Sequence, residues 1–507
     1  MRSTSFEERF NRTLDRLWAW GLRQVGFAAG KAPARPEVGF QPSRWTGAFV
    51  LVAFVYQLMS GGLLLLYYQP SVYPTLTLCG QAPGVASSSP AAWCSTFYIV
   101  HSVPFGAVLL TSHLYGAYAF IFFVLLHLFW GYFAGSYKRP GREFSWLAGV
   151  VLLVLVLSMG FTGYLLTYTQ LSYNATQVSI TLIQALPWVG PPLANLLLGD
   201  GTPQGLLSRA FAFHVVLLPV AIAVLVFLHK RTPLFPRVYL SLTKWALLYI
   251  GVLIGVASIW VWSLPTYAGN LAATQPTTVP PWYFLWVFKI VDFTGVTPED
   301  AMLFAVLVLV FLFFLPFLDR SPYPYIRDRP VFLFLGTSLL GFFILMTAWG
   351  DLTPGLPISP LEVALRLGPV LGANALAVGF FYYRYRRAGG ASADRRSPAT
   401  IAPPAVAEPT TEIEREPTSI ERRELSWTTT LSVAGLVGSL FLLTFGLVLP
   451  FVFLLAAFLV ALAEASRSPS ARRGAPVGGT RGTLVFTAVG FLAVAFLLVT
   501  LVVVVLI

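Results

Sequence analysis

Residues 105–134 read FGAVLLTSHLYGAYAFIFFVLLHLFWGYFA, without one Lys, Arg, Asp or Glu. A helix of about 20 apolar residues crosses the hydrocarbon core of a bilayer, so this stretch is long enough to span it. It nevertheless carries His113 and His127 in its interior. Ionisable groups inside such segments are costly and mark functional positions. A second apolar run, 208–229, contains His214 and His229, so four of the five histidines lie inside two predicted crossings.

The spacing gives these histidines a direction. At about 100° per residue, the step from His113 to His127 falls about 40° short of four turns, and the longer step from His214 to His229 overshoots by about 60°. Each pair points roughly along one helix face, with about 21 Å of rise between its members. Two helices crossing in the same direction then hold two flat cofactors. His113 and His214 would bracket one, and His127 and His229 the other. Bis-imidazole ligation of heme iron suits electron transfer, because no coordination position stays open. Hydrogen-bonded histidines lining a polar cavity, or relaying protons in a transporter, would not require two matched pairs. His101 falls in a loop and reads as a surface residue.

Glycine repeats the same interval. Gly47 and Gly61 lie fourteen apart in one apolar run, and Gly149 and Gly163 lie fourteen apart in another. A residue without Cβ lets a macrocycle approach the backbone. Close helix–helix packing through small residues is the competing explanation, and the repeated interval favours the former.

The rest of the composition agrees with a membrane protein. Of 507 residues, 56% are hydrophobic and only 11% charged, with a mean hydropathy of +0.73. Water-soluble domains carry about 25% charged residues. The net charge of +12 does not indicate nucleic acid, because in this class the placement of basic residues matters more than their sum. Further apolar segments lie near 45–68, 146–167, 241–263, 301–318, 330–348 and 367–385, with three more near 428–447, 450–465 and 483–507. Loops 69–103, 168–208 and 350–365 contain no Lys or Arg. The alternate loops hold Lys138, Arg139 and Arg142, then Lys230, Arg231 and Arg237, then Arg320, Arg327 and Arg329. The positive-inside rule puts these basic loops and the N-terminus on the cytoplasmic side.

The expected fold is all-α: a polytopic bundle with a four-helix di-heme core, four further helices and about three extra C-terminal helices. Residues 1–35 space Phe6, Phe10, Leu14, Trp18 and Leu22 four apart among arginines, as an amphipathic interfacial helix does. Residues 36–235 form the di-heme bundle and 236–388 the next helices. Residues 389–425 are rich in Pro, Thr, Ser, Glu and Arg without apolar periodicity, and read as a disordered cytoplasmic linker. Residues 426–507 hold the extra crossings. Cys79 and Cys94 share the first outside loop, where an oxidising compartment favours a disulfide over two free buried thiols.

With these features in place, residues 40–385 resemble the cytochrome b subunit of quinol-oxidising cytochrome bc complexes. The resemblance rests on QLMSG at 57–61, GSYKRP at 135–140, GYL at 163–165, QLSY at 170–173, PPWYF at 280–284 and LPFLDR at 315–320. It implies two bis-histidine b hemes and a quinol site formed by Pro280, Pro281, Trp282 and Tyr283. Quinone and quinol are the implied substrates, and a multi-pass location in the cell membrane is implied with them. The implied partners are a Rieske-type iron–sulfur protein, a cytochrome c-type subunit or other electron acceptor, and a second copy of the complex in a homodimer. A di-heme anchor of another quinone-linked oxidoreductase is the alternative, although it has no reason to carry the PPWY loop.

The departures from the family pattern are specific. Pro281 stands where the family has a Glu that accepts a proton from quinol, which leaves Asp292 as the preferred substitute. At i,i+3 spacing Asp292 is also a ready partner for Lys289. The fifteen-residue histidine step resembles the photosynthetic branch, and its extra residue falls between His214 and Pro219, where a proline tolerates a local bulge. Leu110 and Trp130 replace two arginines that sit beside heme propionates in much of the family. The photosynthetic branch attaches a further heme through an N-terminal cysteine, but no cysteine precedes Cys79, so no covalent heme is expected.

Overall fold

A computed structural model describes residues 42–74, 79, 89–138, 142–199, 201–229, 236–269, 279–321 and 326–387. The expected interfacial helix at 1–35, the linker at 389–425 and the crossings at 426–507 lie outside the described residues. Within them the chain is an all-α membrane bundle.

The first half comprises α1 (Pro42–Leu65), α2 (Ala91–His101), α3 (Gly106–Phe133), α4 (Glu143–Leu166), α5 (Gln170–Gln184), α6 (Gly190–Leu198) and α7 (Pro203–His229). The second comprises α8 (Pro236–Ile259), α9 (Trp282–Val291), α10 (Pro298–Leu318), α11 (Pro330–Leu352) and α12 (Pro360–Arg387). Seven described helices are long and apolar enough to cross a membrane: α1, α3, α4, α7, α10, α11 and α12. Helix α8, with 24 residues, covers most of the segment expected to be the fifth crossing. Short α2 and α6 occupy loops for which no helix was expected, and α5 is the helix expected to begin at Gln170.

The interior explains how the bundle is arranged. Helix α1 packs on α3, and α4 packs on α7. Phe54, Tyr56, Ala119, Phe120, Phe123, Val156, Met159, Ile222 and Tyr283 are buried in one apolar core that joins both pairs to α9. The opposite face of α7 presents exposed Val216, Val220, Val224 and Phe227, the apolar exterior that a lipid-facing helix needs.

Helix α7 is not regular. Residues Phe213–Leu217 form a π turn, in which the Leu218 amide donates to the Phe213 carbonyl. A π turn takes in one residue beyond the α repeat. It falls between His214 and Pro219, where the fifteen-residue step places its extra residue. Pro219 has no amide hydrogen to give to the preceding turn, so a single widened turn there forfeits little.

A buried ionic cluster joins the two halves at the His127 end of the bundle. The side chains of Asp319 and Arg329 are fully buried and ion-paired. Tyr137 donates to Asp319 Oδ2 at 2.8 Å, and Lys138 reaches Asp319 Oδ1 at 3.2 Å. Buried charges persist only when paired and hydrogen-bonded, and here both conditions are met. Nearby, Tyr132 donates to the Phe332 carbonyl and Trp146 to the Leu312 carbonyl.

Candidate functional site

The four membrane histidines meet in two pairs across α3 and α7. The ring centroids of His113 and His214 are 6.3 Å apart and those of His127 and His229 are 6.1 Å apart. An iron bound at roughly 2 Å from two opposed imidazole nitrogens leaves ring centroids roughly 6 Å apart, taking other metal–imidazole bonds as the guide. The rings within each pair are nearly perpendicular, at 83° and 75°. Among the described residues no group of three or more His, Cys, Asp or Glu gathers as a metal site. Each pair therefore brings two imidazoles to the separation that one metal held between them would need.

Three of the four Nδ1 atoms are already hydrogen-bonded. His214 Nδ1 lies 2.9 Å from the Met159 carbonyl, which can only accept. Nδ1 must then carry the hydrogen, which leaves the Nε2 lone pair free for a metal. His113 Nδ1 lies 2.8 Å from Ser60 Oγ, whose own hydrogen goes to the Tyr56 carbonyl. The hydroxyl thus accepts from His113, with the same result at Nε2. His127 Nδ1 lies 2.9 Å from Thr46 Oγ1. His229 Nδ1 is buried without a hydrogen bond of ordinary geometry, and its electrostatic partner is the Ser145 backbone.

The four glycines stand behind these rings, one to each histidine. A Cβ on Gly47 would lie 3.4 Å from His127 Cε1, one on Gly61 3.1 Å from His113 Cε1, one on Gly149 3.1 Å from His229 Cε1, and one on Gly163 2.3 Å from His214 Cε1. Each glycine thus backs one imidazole, with the fourteen-residue glycine interval equal to the His113–His127 step and the extra residue of the His214–His229 step lying in the π turn. The contact is with the ring edge of each imidazole. Ser60 and Thr46 were not singled out from the sequence. The signal was present, because each directly precedes one of the glycines of α1, again fourteen residues apart.

The other predicted residues fall into two groups. Pro280 and Pro281 are buried, and Pro281 sits at the N-cap of α9. Tyr283 is buried against α4, where a Cβ on Gly160 would lie 2.7 Å from its hydroxyl. Gly160 and Gly163 are neighbours on one helix face, which brings Tyr283 within a turn of the His113–His214 pair. Tyr118 packs on Tyr283 with ring centroids 6.2 Å apart. The Trp282 indole N–H is buried without a protein acceptor.

Asp292 lies apart from this group. It ends α9, nine residues and roughly 13 Å of helix from Tyr283. Its carboxylate takes the Lys289 ammonium at 3.0 Å and the Gly355 amide at 3.2 Å. Lys289 is fully buried, donates also to the Thr353 carbonyl at 2.6 Å, and lies 5.5 Å from the Trp349 ring centroid. Asp292 thus joins the end of α9 to the loop after α11.

Away from the histidines, Cys79 and Cys94 are joined by a disulfide. His101 is exposed at the end of α2 and lies tilted against Phe97, with centroids 4.2 Å apart.

Comparison with known proteins adds a family to this geometry. Residues 118–233 match the family model described as cytochrome b (N-terminal)/b6/petB, and residues 268–363 match cytochrome b (C-terminal)/b6/petD. The chain is 29% identical to a cytochrome b of Sulfolobus acidocaldarius over 72% of its own length and 70% of the relative's. It is 30% identical to the cytochrome b subunit of a cytochrome bc complex from Chlorobaculum thiosulfatiphilum, over 59% of this chain and 72% of that one. The menaquinol:cytochrome c reductase cytochrome b subunit of Geobacillus thermodenitrificans is 34% identical over 36% of this chain and 75% of its own. A solved structure titled hyperthermophilic respiratory Complex III has the same fold, with a TM-score of 0.51 at 24% identity over 68% of this chain and 91% of that one.

Proposed function

Because the chain belongs to the cytochrome b family of bc-type complexes, we propose that it is the quinol-oxidising membrane subunit of such a complex, carrying two b hemes. The observation that carries this reading is the pair of cross-helix histidine sites, each imidazole backed by a glycine. His113 and His214 hold one heme through Nε2, and His127 and His229 hold the other. A heme held by two imidazoles would supply one-electron transfer there. The protein's part is to orient the imidazoles, which Met159, Ser60 and Thr46 do at Nδ1 of His214, His113 and His127.

Quinol binds near the His113–His214 end, between the start of α5 and the Pro280–Tyr283 turn. Pro281 fixes the entry into α9, and the Tyr283 hydroxyl and Trp282 indole N–H are the polar groups available to a quinol oxygen. Asp292 is committed to Lys289 and Gly355, which makes it a clamp between α9 and α11 and leaves Tyr283 as the nearest titratable group of the motif. A second quinone site lies near the His127–His229 end. The basic loops put that end, and the N-terminus, on the cytoplasmic side of the cell membrane. Protons are then released outside and taken up inside, so the reaction is coupled to proton translocation.

A Rieske-type iron–sulfur protein takes one electron from quinol, and a cytochrome c-type subunit or other acceptor receives it. The menaquinol:cytochrome c reductase relative supports that assignment. The complex is a homodimer. The C-terminal family match across the PPWY turn favours this reading over a bare di-heme anchor.

The test is to add quinol to the air-oxidised complex and follow b-heme absorbance and acceptor reduction together. The proposal predicts that quinol reduces both. Hemes that stay oxidised and an acceptor that stays unreduced would reject it.

A further inference from the structure

The segment 260–269, between α8 and the PPWY turn, is tied at both ends to parts of the proposed quinol site. At its start, Tyr115 donates to the Trp260 carbonyl at 2.9 Å, and the Trp262 amide donates to Thr111 Oγ1 at 3.1 Å. Thr111 and Tyr115 flank His113 on α3. At its end, the Gln170 amide donates to the Thr266 carbonyl at 2.8 Å, the Ala268 amide to the Tyr168 carbonyl at 3.0 Å, and the Gly269 amide to Gln170 Oε1 at 2.7 Å. Those contacts hold the first residues of α5. The segment is therefore a strap between the surroundings of His113 and the helix that lines the proposed pocket.

The middle of the strap has one further anchor. Trp93 of α2 donates its indole N–H to the Pro265 carbonyl at 2.8 Å, and its ring packs on Tyr267 with centroids 5.7 Å apart. Trp93 is itself immobilised. It stacks on Phe97, it is 7% exposed, and its neighbour Cys94 is disulfide-bonded to Cys79 within a small core completed by Leu264 and Tyr267. Extended backbone has no internal hydrogen bonds, so its position is set by such side-chain contacts.

We propose that Trp93, braced by the Cys79–Cys94 disulfide, is a positioning residue for quinol oxidation, holding the strap that sets the start of α5 against the His113 region. The inference rests on the quinol-oxidising function proposed above and deepens it. Trp93 acts through Pro265 and Thr266.

The test compares the parent complex with Trp93→Phe, which keeps the aromatic stack and the disulfide, and with the Cys79→Ala/Cys94→Ala pair. Losing the anchoring hydrogen bond should speed amide exchange at Gln170, Ala268 and Gly269 by about fivefold to tenfold, the effect of about 1 kcal/mol. The KM for quinol should rise by a similar factor, while kcat stays within about twofold and both hemes remain. Unchanged exchange, or faster exchange with an unchanged KM, would overturn the proposal. Loss of heme in both variants would overturn it in favour of a merely structural role. A parent complex that oxidises no quinol would reject the proposed function itself, and this inference with it.

Discussion

Gly163 and His214 stand so close that a Cβ on Gly163 would lie 2.3 Å from the imidazole Cε1, against 3.4 Å for the corresponding pair Gly47 and His127. The two contacts make one substitution severe and the other mild. Helix backbone and a braced imidazole cannot both give way, and overpacking of this kind costs about 1–3 kcal/mol. Gly163→Ala should displace His214 and strip the heme assigned to His113 and His214, while Gly47→Ala keeps both hemes. Heme-to-protein ratios of the two purified variants check the ranking, and equal retention would contradict it.

Asp292 leads to a prediction about stability. Its partner Lys289 is buried among Thr353 and Trp349, so removing the carboxylate leaves a cation with less compensation. Asp292→Asn should lower the melting temperature of the complex and leave the pH profile of quinol oxidation where it was. A shifted pH profile at unchanged stability would restore Asp292 as the proton acceptor.

The cluster of Asp319 and Arg329 is more sensitive. Breaking a buried pair from one side typically costs about 3–5 kcal/mol, because an uncompensated charge remains. Arg329→Met should therefore destabilise the protein strongly, and adding Asp319→Leu should recover much of the loss. Thermal unfolding of the single and double variants measures both effects. A double variant as unstable as the single one would show that the charge imbalance was not the cause.

The π turn makes a fourth case. If Phe213–Leu217 widens only to take in one extra residue, deleting exposed Val216 should restore a regular helix and a fourteen-residue step to His229. Both hemes should survive the deletion. Loss of the heme on His127 and His229 would show that the widened turn has a role of its own.

These cases also mark what can be read along the chain and what cannot. Helical periodicity acts within one segment, so the direction of His113 and His127 and the matching interval of Gly47 and Gly61 were legible, while the extra residue before Pro219 was placed by the family resemblance. Partners across long separations were not. Nothing near Asp319 announces Tyr137, and nothing near Trp93 announces Pro265, because those contacts depend on how distant helices pack. Asp292 was ambiguous for the same reason. Its i,i+3 partner Lys289 was visible in sequence, but its distance from the motif's tyrosine along α9, and its hold on Gly355, emerge only from the fold. The short helices α2 and α6 escaped notice because their composition lacks the long apolar run that identifies a crossing.

The central claim is that four histidines make two independent two-ligand heme sites. Heme content per chain, measured on the purified protein and on four single variants, tests it most directly. The account predicts two b hemes in the parent protein and one in each of His113→Leu, His214→Leu, His127→Leu and His229→Leu. The first two variants should share one residual spectrum and the last two another. Two hemes retained in any of these variants, or residual spectra that group His113 with His127, would contradict the pairing.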